Sequence, residues 1–280
     1  MADLTAILTA GGVEQAREEA RDIVAAVHDE TRFWPTLNPG RIVESVQEAR
    51  ALRAARLRAA GAPFAYAVGR AAFRFLTLDV DERVLIPRQE TEQLVQAVLE
   101  CAAGHTGGVA VDIGTGSGAI ALALASEGCF ERVIATDVSL GALEVARQNA
   151  QRLAPVLRCP VELRAGSLLA PLAGVRAAVV VSNPPYIAAG EAPELPSSVR
   201  DWEPPVALFS GVDGMAATLH LIRAAAPLLE PGGLLALEVD VRRASLAVAA
   251  AEASGDYAQV SLRLDLAGRE RILLATRKAS

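Results

Sequence analysis

Lysine is almost missing from this chain of 280 residues: Lys278 stands alone among 27 basic residues, and the other 26 are arginine. Against 33 acidic residues this leaves a formal net charge of −6, without the basic excess that a protein needs to wrap long nucleic acid. No stable nucleic-acid binding is therefore expected. Cysteine is scarce too, and Cys101, Cys129 and Cys159 show no Cys-x-x-Cys spacing and no neighbouring pair of histidines. That excludes a zinc site and a disulfide framework, and leaves the cysteines as small buried apolar residues. The three histidines, His28, His105 and His220, are scattered and read as structural or surface residues, so no metal is expected. No apolar run approaches the roughly 20 residues of a membrane span. Met1-Ala-Asp-Leu-Thr lacks the basic start and apolar centre of a signal peptide, which makes the cytoplasm the expected location.

What the chain does contain is apolar: 52% hydrophobic against 21% charged residues reads as a folded protein with a full core. Residues 14–60 follow a helical pattern broken at Asn38-Pro39-Gly40, with Ile42, Val46, Leu52 and Leu57 as the apolar stripe of a small bundle. From Phe73 the side chains alternate, Asp81-Glu82-Arg83 looks like the turn, and Val84-Leu85-Ile86 completes a predicted β-hairpin. Thr91 is placed to cap the next helix. Beyond Gly107 strands and helices alternate, with strands expected at 109–113, 132–136, 161–165, 177–182, 233–239, 257–264 and 271–276. Helices are expected at 117–126, 139–152 and 214–229. The last two strands are joined by too few residues for a parallel crossover, so they pair antiparallel. This organisation predicts an N-terminal helical substrate-recognition domain at 1–72, a hairpin linker at 73–90 and a catalytic domain at 91–280.

Two stretches carry the chemistry. In the first, Val109-Ala-Val-Asp112-Ile-Gly114-Thr115-Gly116-Ser117-Gly118 runs off the first strand of the sheet into a helix. Its Gly-x-Gly-x-Gly spacing differs from the dinucleotide-binding Gly-x-Gly-x-x-Gly, and no Lys-Ser/Thr pair follows, which rules out an ATP P-loop. Asp137, 23 residues after Gly114, ends the second strand where a carboxylate can accept both hydroxyls of a ribose. Asp112 is placed either to orient the loop or to face a cationic ligand, and Leu168 to wall an adenine. In the second stretch, three valines lead to Ser182-Asn183-Pro184-Pro185-Tyr186. The prolines have no N–H and stop the strand. Asn183 and Tyr186 are then held at its carboxyl end, where open α/β sheets bind ligands. The Asn183 oxygen and the Pro184 carbonyl can take the two hydrogens of a planar NH2 group, with the tyrosine ring over its plane.

Taken together, these motifs resemble class I S-adenosylmethionine methyltransferases that modify planar nitrogens. The resemblance narrows with Leu85-Ile86-Pro87-Arg88-Gln89-Glu90-Thr91-Glu92, preceded by Pro63, Tyr66 and Gly69. Glu203-Pro204, Asp213-Gly214, Pro231-Gly232-Gly233 with Glu238, and Asp265 to Gly268 with Arg271 also match. Residues 58–277 are similar to the release factor glutamine N5-methyltransferase family. The resemblance implies a Rossmann-like, mostly parallel seven-stranded sheet behind a small helical bundle. It implies S-adenosyl-L-methionine held by Asp112, Gly114, Thr115, Gly116, Ser117, Gly118, Asp137, Leu168 and Asn183. Asn183, Pro184, Pro185 and Tyr186 would hold the glutamine of the Gly-Gly-Gln motif of a class 1 peptide chain release factor, with Asn183, Pro184 and Tyr186 carrying the catalysis. Gln89, Asp240 and Arg243 depart from the family pattern. The competing readings are a ribosomal-protein glutamine or adenine-N6 methyltransferase, and a silent fold that only binds.

Overall fold

The computed structural model describes residues 1–102 and 107–279. His105 lies outside the described residues. The chain opens with five helices, α1 (Ala2–Ala10), α2 (Ala16–Val27), α3 (Trp34–Leu37), α4 (Ser45–Ala59) and α5 (Phe64–Val68). The first, second and fourth pack together around Leu4, Leu8, Ala20, Ile23, Ala51, Ala54 and Ala55. Alanines three and four apart share one helix face, so the core of α4 is built from small residues that let its neighbours approach. A Cβ on Gly11 would lie 2.5 Å from Ala59, so that approach needs a glycine. The expected stripe is corrected here. Ile42 is 90% exposed and Val46 59% exposed, and only Leu52 and Leu57 pack against the bundle core.

The hairpin is also displaced from its expected position. It consists of β1 (Arg70–Phe73) and β2 (Leu76–Asp79), turning at Arg74-Phe75 instead of 81–83. Arg74 adopts a left-handed φ of +52°, a conformation that glycine or asparagine usually supplies. Long-range bonds hold it there: its N–H donates to Glu92 Oε1 at 3.1 Å, and its guanidinium pairs with Glu127 at 2.6 Å.

Then follow α6 (Gln89–Cys101), β3 (Val109–Ile113), α7 (Ala119–Glu127), β4 (Arg132–Asp137), α8 (Leu140–Leu153), β5 (Val161–Ala165) and β6 (Ala177–Ser182). The remainder is α9 (Ser197–Arg200), α10 (Pro205–Leu208), α11 (Ala216–Ala225), β7 (Leu229–Glu238), α12 (Ala244–Ser254), β8 (Tyr257–Leu264) and β9 (Glu270–Arg277). The seven-stranded sheet has the order β5-β4-β3-β6-β7-β9-β8, parallel except that β9 runs antiparallel to both β7 and β8. This is the class I methyltransferase architecture that the strand pattern predicts. The central strands bury both faces. Ala110, Val179, Val181 and Ala236 face one core with α6, α7, α8 and the hairpin, while Val111, Val180, Leu235 and Leu237 face the other with α11 and α12. Alternation of period two along each strand produces that division. Of the cysteines only Cys159 is buried; Cys101 and Cys129 are exposed, which corrects the expectation for those two.

The order of the sheet decides where a ligand goes. The chain crosses from β3 to β4 on one side and reaches β6 on the other, so a crevice opens at the carboxyl ends of β3 and β6. Ser182 Oγ donates to the Ile113 carbonyl at 2.6 Å and fastens those two ends together.

Candidate active site

The glycine loop leaves β3 at Gly114. The N–H groups of Gly114 and Thr115 both donate to the Thr136 carbonyl, at 2.8 and 2.9 Å, and that of Gly116 donates to Asp137 Oδ2 at 2.9 Å. The other Asp137 oxygen accepts from Ser139 N–H at 2.8 Å. Gly114 and Gly116 have φ of +72° and +56°, and a Cβ on either would meet nothing within 4 Å. Their backbones therefore face open space. That space is a cleft of about 460 Å³, lined among others by Gly114, Gly116, Asp137, Leu168, Asn183 and Pro185. Pro204, Ala207 and Phe209 close it from the opposite side, and His220 borders it from α11.

The remaining loop residues support the cleft from behind. Thr115 Oγ1 donates to Asp112 Oδ2 at 2.7 Å and Ala121 N–H to the same oxygen at 3.1 Å. Asp112 is wholly buried, so of its two readings the geometry favours loop orientation over contact with a ligand. Burial pushes its carboxyl up to about 7, against the pull of those two hydrogen bonds. Gly118 caps α7 in a left-handed conformation, where a Cβ would press on Leu122 at 3.0 Å. Ser117 is buried, and its carbonyl accepts from Asn149 Nδ2 at 2.9 Å. That same asparagine bonds both the N–H and the carbonyl of Asp79, tying the hairpin to the glycine loop. Leu168 reaches the cleft from a left-handed φ of +48°.

At the end of the cleft β6 stops at Ser182 and the chain turns through the two prolines. Asn183 Nδ2 donates to Thr91 Oγ1 at 2.9 Å, and among the described residues neither Asn183 Oδ1 nor the Pro184 carbonyl accepts a hydrogen bond. Asn183 lines the cleft, whereas Pro184 is buried next to it and is not part of the lining. Thr91 is not a cap, as the sequence suggested. The N-cap of α6 is Arg88, and Thr91 lies buried in the first turn, donating to Glu238 Oε2 at 2.7 Å. The Tyr186 hydroxyl donates to the other oxygen of Glu238 at 3.3 Å, and burial together with that carboxylate pushes the phenol far up. Burial also raises the Glu238 carboxyl, while Thr91 and Arg271 pull it down.

The rest of the Arg88–Glu92 stretch is equally committed. Arg88 grips both oxygens of buried Glu203 at 2.6 and 2.7 Å, Glu90 pairs with Arg269 at 3.2 Å, and Glu92 holds the hairpin turn. Asp240 and Arg243 brace the turn after Tyr186. Arg243 bonds the Asp213 carbonyl at 2.6 Å and Glu191 at 2.7 Å, Asp240 pairs with Arg243 at 3.2 Å, and Glu191 accepts from Ala188 N–H at 2.9 Å. Sequence reasoning assigned no site role to Thr91, Glu203 or Glu238. Their partners lie up to 147 residues away, and only the motif in which they recur pointed to them.

Comparison with known proteins identifies the family. Residues 1–69 match the PrmC N-terminal domain model and residues 89–195 the methyltransferase small domain model. The release factor glutamine methyltransferase of Moorella thermoacetica is 44% identical over 97% of this chain and 95% of its own length. That of Rhodopirellula baltica is 37% identical over 94% and 90%. Among solved structures, a T. thermophilus 16S rRNA N2 G1207 methyltransferase in complex with AdoMet and guanosine shares the fold. It aligns at a TM-score of 0.52 with 17% identity, over 75% of this chain and 50% of that one. With relatives this similar along nearly its whole length, the chain belongs to the release factor glutamine methyltransferase family.

Proposed function

We propose that this protein transfers the methyl group of S-adenosyl-L-methionine to the side-chain amide nitrogen, N5, of the glutamine in the Gly-Gly-Gln motif of a class 1 peptide chain release factor. The observation that carries the proposal is the unpaired Oδ1 of Asn183, a residue that lines the cleft opened by the glycine loop, with the unpaired carbonyl of Pro184 next to it in the chain. A primary amide presents two N–H donors in one plane, the complement of those two oxygens.

The residues of the cleft fit the cofactor. Gly114 and Gly116 leave room for a ligand against the backbone, Asp137 stands where a ribose would lie, and Leu168 offers an apolar wall for an adenine. Thr115, Ser117, Gly118 and Asp112 hold that shape from behind. When bound, the cofactor supplies a methyl group on a sulfonium, a reactive electrophile. An amide nitrogen is a poor nucleophile because its lone pair is delocalised, so this chain's contribution is orientation and electrostatics. Asn183 and Pro184 accept the two N–H groups and build negative charge on the nitrogen. Pro185 shapes the turn, and Tyr186 fixes the plane of the amide. The proton leaves late, to solvent or a nearby carbonyl, and no general base is assigned. The helices within 1–72 serve as the substrate-recognition domain, joined by the linker at 73–90 to the catalytic domain at 91–280.

Incubating the protein with a class 1 release factor and S-adenosyl-L-methionine, then mapping the added mass by peptide sequencing, tests the proposal. The methyl group is expected on the Gly-Gly-Gln glutamine; a methyl group elsewhere, or on DNA offered in parallel, overturns it. In the same assay Asn183→Ala is expected to keep cofactor affinity while turnover falls by about 100-fold or more, the usual cost of one oriented polar group at a reacting centre. Full methylation by that variant would refute the role given to Asn183.

A further inference from the structure

Glu238 touches neither the cleft nor a surface: it is 1% exposed, at the end of β7 beside the end of β6. Yet its two oxygens receive the hydroxyls of the two side-chain chains that converge there, Thr91 Oγ1 at 2.7 Å and Tyr186 at 3.3 Å. A carboxylate only accepts hydrogen bonds. Thr91 has a single hydroxyl proton, and Glu238 takes it. Towards Asn183 the Thr91 oxygen can then only accept, so it must meet the Nδ2 of Asn183, as it does at 2.9 Å. The Oδ1 of Asn183 is thereby turned to the other side, free for a donor. At its second oxygen the same carboxylate aligns the Tyr186 ring.

We propose that Glu238 is the positioning residue that sets the polarity of the methyl-acceptor site, ordering Asn183 through Thr91 and Tyr186 directly so that both present themselves to a substrate NH2. This rests on the reading of Asn183 as the acceptor for the substrate amide. A carboxamide in place of the carboxylate cannot do both tasks. With its NH2 towards Thr91, the threonine proton is released to donate to Asn183 Oδ1 and occupies the oxygen the substrate needs. With its NH2 towards Tyr186, the phenol loses its acceptor. A proton on Glu238 has the same effect as the amide. The charged and titratable groups around it are Glu90 from α6, Tyr186 from the proline turn and Arg271 from β9, of which Arg271 favours the ionised form and Glu90 opposes it. Burial raises the carboxyl, so turnover is expected to fall on the acid side as Glu238 protonates.

Four variants of the full-length protein, Glu238→Gln, Thr91→Val, Thr91→Ser and Asn183→Ala, assayed on release factor and titrated with S-adenosylmethionine, test the relay. For Glu238→Gln, kcat is expected to fall about 10- to 100-fold, the usual cost of losing a partner that orients a contacting group, with cofactor affinity within about twofold of wild type. The acid limb of the kcat profile should vanish in that variant. Thr91→Val should lose kcat similarly, and Thr91→Ser, which keeps the hydroxyl, should restore it. Wild-type kcat in Glu238→Gln, an unaltered acid limb, or equal loss in Thr91→Val and Thr91→Ser overturns the proposal. Should Glu238→Gln fail to fold, the threonine pair decides. Inactive Asn183→Ala beside active Glu238→Gln sinks the relay alone, whereas active Asn183→Ala sinks the acceptor reading and the relay with it.

Discussion

At the scale of single residues, two side chains of the site hold conformations or charge states that no composition reveals. Leu168 stands in the left-handed region, where a side chain costs about 1–2 kcal/mol, and faces the cleft from there. Its place as a wall was readable in the sequence, but its backbone angle was not, because the loop that imposes it closes on Thr136 Oγ1, 3.4 Å from the Leu168 carbonyl. Leu168→Gly relieves the strain and removes the wall. The variant is therefore expected to melt no lower than wild type while binding the cofactor about tenfold more weakly, as loss of one buried apolar side chain implies; calorimetry and a melting curve check both halves. Asp112 carries the second hidden property. Its carboxyl titrates at about 7 when folded and near 4 in an unfolded chain, so between those values the folded state keeps a proton that the unfolded state has lost. This contribution to stability is complete at low pH and disappears as pH rises towards 7. Asp112→Asn should consequently lose less melting temperature than wild type between about pH 5 and about pH 8, and parallel curves would remove Asp112 from the titration.

Elements differ in how openly the sequence declares them. The strands β3, β5, β6 and β8 fall where apolar runs and period-two alternation place them, since their local pattern and their tertiary environment agree. β7 starts earlier than expected because pairing with β6 shifts register between Ala177 and Val179 and carries the Pro231-Gly232-Gly233 segment into the strand. The hairpin was misplaced for the opposite reason. Nothing in Arg74-Phe75 signals a turn, and Glu92 and Glu127, distant in sequence, impose one. The segment after Ile187, rich in proline and acid, is organised into short turns, α9 and α10 among them. Its anchor is Gly214. At a φ of +75°, a Cβ there would come within 2.4 Å of the Tyr186 carbonyl and 3.1 Å of Arg243. Gly214→Ala should push the proline turn away from Asn183, lowering turnover by about 100-fold, as small misplacements of reacting groups do, with little change in cofactor affinity. Parallel measurement of kcat and of cofactor binding separates the two effects, and wild-type kcat would mean that the turn tolerates the shift.

For the whole molecule, the division of labour is between a part visible in local sequence and a part that only folding assembles. The cleft draws on β3, β4 and the loop after β5, consecutive along the chain, and the glycines and Asp137 that line it stand in a stretch singled out by its local pattern. The acceptor side draws on α6, the turn after β6 and the end of β7, whose members share no spacing rule. The Arg88–Glu203 pair belongs to this assembled part, joining the start of α6 to the segment over the cleft across 115 residues. Glu203 is buried and its carboxyl is raised by that burial, with Arg88 pulling it back. Arg88→Met leaves the carboxylate alone, which should lower stability by about 2 kcal/mol, discounted from a fully buried pair because the arginine is partly exposed. The folded-state pKa of Glu203 then rises further, so the deficit in melting temperature should be large at about pH 8 and shrink at about pH 5, where a neutral acid needs no counter-charge. A deficit independent of pH would assign the loss to packing of the arginine stem.

The location of Glu238 at the last residue of β7, walled in by β6 and β9, also has a temporal side. During synthesis the glycine loop and Asp137 emerge about a hundred residues ahead of the glutamate. A half-made chain thus already owns the glycine loop and Asp137, yet Leu168 and Asn183 are still to come and the asparagine remains unaimed until the final hairpin closes on the sheet, so catalytic competence arrives only with the finished protein.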